Sequence, residues 1–152
     1  MANNSNRLDQ MLNKVKKHGY SLTPQRYEII RILAESKNHP SAVDIYSKVK
    51  SVYPMISLNT VYKNIAMLLE INEVREIKSF QSAVRYDGDI SSHAHIICKN
   101  CKEIIDLQVY DDSNDEMTEI YISPKLKKEY SIIGYNVEFL GLCNNCKNQT
   151  SN

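Results

Sequence analysis

The stretch S-L-N-T-V-Y-K-N-I-A-M-L-L-E at residues 57–70, followed by E-V-R-E-I-K-S-F at 73–80 and V-R-Y-D at 84–87, decides how the first half of the chain is read. Ser57 is a residue whose hydroxyl can satisfy an orphan N–H at a helix start. Val61, Ile65 and Leu68 or Leu69 then recur at the spacing of one helix face. The two β-type runs that follow flank the small polar turn Gln81-Ser82-Ala83 and predict a hairpin.

Three more helices are expected before Ser57. Leu8, Met11, Leu12 and Val15 form one apolar stripe, with Lys14, Lys16 and Lys17 beside it and His18-Gly19 at its end. Thr23-Pro24 is an N-cap and first-turn pair, because proline lacks only an N–H that would be orphaned anyway. Ile29, Ile30 and Leu33 then face inward. Pro40-Ser41 opens a third helix, with Asp44 completing a short capping box and Ile45, Val49 and Val52 as the core face; Tyr53-Pro54 stops it. Several short helices and then a hairpin is the order of a winged helix-turn-helix, in which a late helix enters the major groove and the wing touches backbone.

On the fourth helix Asn59, Thr60, Tyr62, Lys63 and Asn64 are expected away from the apolar stripe. Asparagine can pair with the N6 and N7 edge of adenine, tyrosine and threonine can touch a thymine methyl, and lysine can reach phosphate. Lys16, Arg26 and Lys78 complete the expected DNA-contacting set. The competing reading is a solvated helix face.

Charge supports the division of labour. The 152 residues carry a net charge of +1, but up to Tyr86 there are 13 Lys or Arg against 7 acids, and from Asp87 onward 6 against 11. A basic half on an acidic half suggests a polyanion-binding domain joined to something with another job, unless the gradient is a chance fluctuation. Charged residues at 24% and hydrophobic ones at 42% exclude disordered and fibrous classes. The longest apolar run, Ile65 to Leu69, is far short of the roughly 20 residues that span a bilayer. With neither a basic nor an apolar leader at the start, the expectation is a cytoplasmic chain with no membrane partner.

All the cysteines of the second half fall in two C-x-x-C pairs, Cys98/Cys101 and Cys143/Cys146. Each such pair forms a turn that aims two sulfurs at one point, and four thiolates close a tetrahedral zinc site. The separation of the pairs exceeds that of a simple ribbon, so the metal would tie an early strand to the far end of the chain. Two disulfides or a thioredoxin-type redox pair are the alternatives; the first suits an oxidising compartment and the second a βαβ setting that is missing here. Just upstream, Asp87, His93 and His95 lie within nine residues, and Asp106 follows the first C-x-x-C. In a strand His93 and His95 share a face, and two imidazoles with carboxylates suit iron, manganese or zinc. Singly, each of these reads as a surface residue. His39 is an extra ligand only if the two domains fold together.

The remainder is expected to hold an acidic turn, D-D-S-N-D-E at 111–116, and a helix from Glu116 to Tyr121 that Pro124 interrupts. Lys125, Lys127 and Lys128 follow as a solvent face, and Ile132 to Leu142 supplies a last strand able to pair with its copy.

Together these residues resemble the ferric-uptake-regulator (Fur) family of metal-dependent repressors from about Leu8 to Cys146. The resemblance is carried by T-P-Q-R at 23–26, H-P-S-A at 39–42, S-L-N-T-V-Y at 57–62, H-A-H-I-I-C-K-N-C at 93–101 and G-L-C-N-N-C at 141–146. It implies an α+β protein: an N-terminal winged helix-turn-helix DNA-binding domain over 1–86, a hinge at about 85–92, and a small C-terminal α/β dimerisation domain over 93–152 with a four-cysteine zinc site. It also implies a homodimer on an inverted-repeat operator in double-stranded DNA, and a regulator rather than an enzyme. One structural Zn2+ per subunit would sit on Cys98, Cys101, Cys143 and Cys146, and one regulatory Fe2+ or Mn2+ on His39, Asp87, His93, His95 and Asp106.

Within the family the chain looks most like the peroxide-responsive repressor (PerR) subgroup. Asp106 stands where iron-uptake members usually have Glu, and S-S-H-A-H replaces their H-H-x-H cluster. In that subgroup iron-catalysed oxidation of a ligand histidine releases metal and DNA, which would make His39 and His93 the oxidation targets. An iron- or manganese-uptake regulator without peroxide sensing is the alternative. A mononuclear iron oxygenase, built on His-x-His and a carboxylate, is the reading from a different class; a zinc-stabilised DNA-binding module with no sensing role is another. Departures from the family pattern are Asn59 before T-V-Y, Ser92, and Gly88-Asp89, which reads as a flexible acidic turn whose Asp89 can compete as a ligand.

Overall fold

Hydroxyl side chains start three of the four helices in the first half. In the computed structural model, α1 (Asn4–Lys17) is followed by α2 (Pro24–Glu35), α3 (Ala42–Val52) and α4 (Leu58–Glu70). Thr23, Ser41 and Ser57 accept the N–H of Arg26, Asp44 and Thr60, and Ser41 with Asp44 closes a reciprocal capping box. The structure describes residues 4–78, 83–91, 93–107, 123–131 and 136–149. It divides into two compact units, Met1–Ile90 and Ser91–Asn152.

In the first unit Met11 and Val15 of α1, Ile29, Ile30 and Leu33 of α2, Ile45 and Val49 of α3, and Val61, Ile65 and Leu68 of α4 form one core. Each such side chain contributes about 1.5–3 kcal/mol by leaving water, so this core is the main source of the unit's stability. Val52 corrects an expectation: it is 57% exposed, because α3 ends there and Tyr53 turns the chain away. β1 (Arg75–Ile77) and β2 (Arg85–Asp87) pair antiparallel, Arg75 opposite Asp87. The hairpin is tied to the start of α3: Tyr86 N–H donates to Pro40 O at 3.0 Å, and Ser41 bridges Arg85.

The segment after β2 is a second correction. Gly88-Asp89 is held rather than flexible. A Cβ on Gly88 would lie 2.2 Å from Leu33 O. The Gly88 carbonyl accepts Arg7 Nε–H at 2.6 Å, and Asp89 N–H donates to Asp87 Oδ1 at 2.8 Å.

Among the described residues, the second unit has a three-stranded sheet in the order β4-β3-β5. β3 (Ala94–Cys98) runs antiparallel to β4 (Ile104–Leu107) and parallel to β5 (Val137–Gly141). Between β4 and β5 lies α5 (Pro124–Tyr130), and α6 (Asn144–Gln149) follows β5. Pro124 opens α5: Ser123 caps it, accepting Leu126 N–H, and proline occupies a first-turn position where no N–H is needed. Lys125 and Lys128 are exposed there. The turn residues Gln81 and Ser82, Ser92, the acidic run 111–116, the helix expected from Glu116 to Tyr121, and residues 132–135 of the last strand lie outside the described residues. Among the described residues no helix is long and apolar enough to cross a membrane.

Candidate metal centres and nucleic-acid interface

The two C-x-x-C pairs converge because β3 and β5 are neighbours. Cys98 ends β3, Cys143 follows β5, and Cys146 lies in the first turn of α6. Between Cys98 and Cys101 the chain makes a tight knuckle: Lys102, at φ +65°, donates its N–H back to Cys98 O at 3.0 Å. The four sulfurs all lie within 4.8 Å of one another, and Cys101 Sγ is 3.6 Å from Cys143 Sγ. Sulfurs bound to one zinc at about 2.3 Å stand about 3.8 Å apart, whereas a disulfide needs about 2.05 Å. All four cysteines are unbridged, which sets the disulfide reading aside and fits a tetrahedral ion.

The cluster is prepared for anionic sulfur. Cys143 N–H donates to Cys98 Sγ at 3.3 Å, and Asn100 Nδ2 to Cys146 Sγ at 3.2 Å. The Cys143 N–H, with those of Cys101 and Asn100, pulls the Cys98 thiol down to about 6. For Cys143 the Cys146 N–H acts in the same direction, but burial and the thiols of Cys101, Cys146 and Cys98 prevail and push it up to about 12. Adjacent thiolates repel, so one sulfur ionises readily and its neighbour does not until a cation neutralises them. Asn100 is a contributor that the sequence does not announce; an amide inside a C-x-x-C gives no signal distinguishing it from any polar turn residue.

In the same unit His93, immediately before β3, and His95, within it, turn the same ring nitrogen toward β4. Their Nε2 atoms are 3.0 Å apart. Asp106, paired with His95 across the ladder, brings Oδ1 to 3.5 Å from His93 Nε2 and 3.4 Å from His95 Nε2. The ring nitrogen Nδ1 of His93 lies 3.0 Å from Ser91 O. That carbonyl can only accept, so Nδ1 carries the proton and Nε2 keeps its lone pair for a cation. Two imidazole nitrogens and a carboxylate oxygen at these separations suit a borderline divalent ion.

In the first unit, separately, His39 and Asp87 approach each other. His39 is 2% exposed and Asp87 3%, and His39 Nε2 lies 4.0 Å from Asp87 Oδ1. His39 sits at φ +44°, a left-handed conformation unusual for a residue with a Cβ. Such strain persists only where surroundings fix it; here Pro40 and the hairpin bond to Pro40 O do so. Asp89 is exposed.

On α4, Asn59 and Lys63 are exposed, Tyr62 is 47% exposed, and Thr60 is half-buried with its hydroxyl 2.9 Å from Ser57 Oγ. Asn64 departs from the expected outward face. It is buried, accepting from Arg26 Nε at 2.7 Å and donating to Thr60 O at 2.8 Å. An amide with those bonds is a strut inside the domain, not a base reader. Arg26 is half-buried by the same bond and by another to Ser21 O. Lys16 is exposed on the last turn of α1, and Lys78, exposed after β1, pairs with Glu76 at 3.0 Å. Arg7 and buried Glu73, an ion pair at 2.7 Å, are likewise silent in the sequence, since nothing local links positions so far apart.

The profile of the Ferric uptake regulator family matches residues 17–138. The chain belongs to that family. The peroxide-responsive repressor PerR of Staphylococcus epidermidis is 30% identical over 142 residues, covering 93% of this chain and 91% of the relative. The crystal structure of the Campylobacter jejuni peroxide stress regulator aligns with a TM-score of 0.63 at 30% identity, covering 89% of this chain and 98% of that one. The Helicobacter pylori ferric uptake regulator Fur, a structure with three functional metal-binding sites, shares the fold: its TM-score is 0.67 at 21% identity, with 95% and 94% covered. Members of the family are transcriptional regulators, which sets aside the iron-oxygenase reading.

Proposed function

We propose that this chain is a metal-dependent, homodimeric, peroxide-responsive transcriptional repressor that binds an inverted-repeat operator in the cytoplasm. The winged-helix domain spans 1–86, the hinge about 85–92 and the dimerisation domain 93–152. Cys98, Cys101, Cys143 and Cys146 hold a structural Zn2+, and His39, Asp87, His93, His95 and Asp106 hold a regulatory Fe2+ or Mn2+. An ion drawing His39 and Asp87 from one unit and the other three from the second fixes their relative orientation, so a dimer presents both α4 helices at operator spacing. Without that ion fewer molecules are DNA-competent, and affinity falls by that fraction. Asn59, Thr60, Tyr62 and Lys63 read or position DNA from α4, with Lys16, Arg26 and Lys78 toward phosphate.

The observation that carries this reading is the triad of His93 Nε2, His95 Nε2 and Asp106 Oδ1 within 3.5 Å. An identity of 30% with a peroxide-responsive repressor across 93% of the chain supports the sensing role. A bound Fe(II) would act as catalyst, its electron lent to peroxide and regained from the oxidised ring, so the ring is the net reductant. The net change on the protein is one oxygen atom gained by the His39 or His93 ring, the other peroxide oxygen leaving as water.

The test is mass spectrometry of protein loaded anaerobically with Fe(II) or Mn(II) and given stoichiometric peroxide, with cysteines alkylated before digestion. The tryptic peptide 38–48 carries His39, 86–99 carries His93 and His95, and 18–26 carries His18 as a control. One added oxygen, about 16 Da, on the His39 or His93 peptide with iron only is the expected result. No addition with iron demonstrably bound would instead identify an iron- or manganese-uptake regulator.

A further inference from the structure

Arg7 sits in α1, far in sequence from every candidate ligand, yet its side chain is only 11% exposed and all its nitrogens are engaged. Nε donates to Gly88 O at 2.6 Å, Nη1 to Glu73 Oε2 at 2.7 Å, and Nη2 to Glu73 O at 2.7 Å. Gly88 is the residue after Asp87. Its Cα is pressed against α2, where an added Cβ would meet Leu33 O at 2.2 Å. Arg7 therefore grips the carbonyl of the Gly88–Asp89 peptide while the α2 backbone blocks Gly88 from the other side. The N–H of that same peptide, on Asp89, holds Asp87 Oδ1 at 2.8 Å.

We infer that Arg7 is a positioning residue for Asp87, and that α1 thereby sets the affinity of the regulatory metal site. The inference rests on the proposal that Asp87 is a ligand. A planar guanidinium can bond a carbonyl and a carboxylate at once from fixed directions, whereas a lysine ammonium, a point charge on a flexible stem, cannot reproduce that fork. Groups that orient a ligand from behind change metal affinity by about 10–100-fold when removed. Glu73, buried at 4% exposure, neutralises the cation and completes the lock.

The experiment is Mn(II) titration of the full-length, zinc-loaded protein as wild type, Arg7→Lys, Arg7→Met, Asp87→Ala and the Arg7→Lys/Asp87→Ala double variant, with zinc content and melting temperature recorded alongside. The expected results are a loss of Mn(II) affinity in Asp87→Ala and a loss of about 10–100-fold in both Arg7 variants. The double variant should be no weaker than Asp87→Ala alone, because a residue acting through Asp87 has nothing left to position. Zinc content and melting of Arg7→Lys should stay close to wild type. Should Arg7→Met fail to fold, Arg7→Lys decides. Wild-type affinity in Asp87→Ala would remove the ligand assignment itself. A weakened Asp87→Ala beside unaffected Arg7 variants would overturn the positioning role alone. Additive losses in the double variant would do the same, by showing that Arg7 acts on the fold at large.

Discussion

Arg26 Nε donates to Asn64 Oδ1 at 2.7 Å, joining the first turn of α2 to the middle of α4. The bond fixes the roll of α4 and hence which of its side chains face outward. Asn64→Ala leaves a half-buried cation without this acceptor and should cost about 1–3 kcal/mol, read as a lower urea midpoint. Asn59→Ala should leave stability unchanged and weaken binding to operator DNA selected from random oligonucleotides by the wild-type protein. Equal stability losses in the two variants would contradict this division of roles.

Gly88→Ala places a methyl group 2.2 Å from the Leu33 carbonyl oxygen, a backbone atom that cannot swing away. Relief requires the segment after β2 to shift, at a cost of about 1–3 kcal/mol. Thermal unfolding should report that loss, and Mn(II) affinity should fall with it. A variant as stable as wild type would show that this contact yields freely.

Ser41→Ala removes the cap of α3 and should destabilise the chain by about 1 kcal/mol. The Ser41 hydroxyl, then its backbone N–H, hold the Asp44 carboxyl below the usual range, with Arg85 adding attraction at 3.1 Å. Because the folded carboxyl is the stronger acid, its contribution is present above the unfolded value near 4 and is lost as pH falls through the depressed one. An NMR titration of Asp44 should therefore move upward in Ser41→Ala, and the stability gap between variant and wild type should narrow in acid. An unmoved Asp44 titration would assign its shift elsewhere.

Cys143→Ser, or removal of zinc by a strong chelator, should unfold the second unit while the helical unit keeps its far-UV signal. Structural zinc contributes about 10–16 kcal/mol of apparent binding energy in small zinc domains. The readout is metal content beside a thermal scan, in which one transition should shift steeply. An unchanged scan in zinc-free protein would mean that the sheet stands without the ion.

Much of this architecture is legible in the sequence because its signals are local. Thr23-Pro24, Ser41 with Asp44, and Ser57 announce helix starts within one turn, and the stripes of Ile29, Ile30 and Leu33 or Val61, Ile65 and Leu68 follow helical spacing. The cysteine spacing exposes the four-sulfur cluster for the same reason. What escapes depends on partners distant in sequence. Asn64 has the spacing of an outward residue and is drawn in by Arg26; Gly88 suggests freedom and is wedged by Leu33; Pro124 has the appearance of a breaker and is made a starter by Ser123. The left-handed His39 is equally invisible, since the hairpin that secures its neighbour arrives some 45 residues later.

β3 carries two kinds of candidate ligand on one short strand. His95 stands in its second position and Cys98 at its end, about 10 Å along at the usual rise per residue. The strand is central in the sheet, and its register against β5 is what brings Cys143 to Cys98. Its register against β4 sets Asp106 opposite His95. Whatever unseats the sulfur knot therefore slackens the imidazole pair as well. On the proposed ligand sets, a cell starved of zinc would therefore lose the second metal's response too, however much iron or manganese it held.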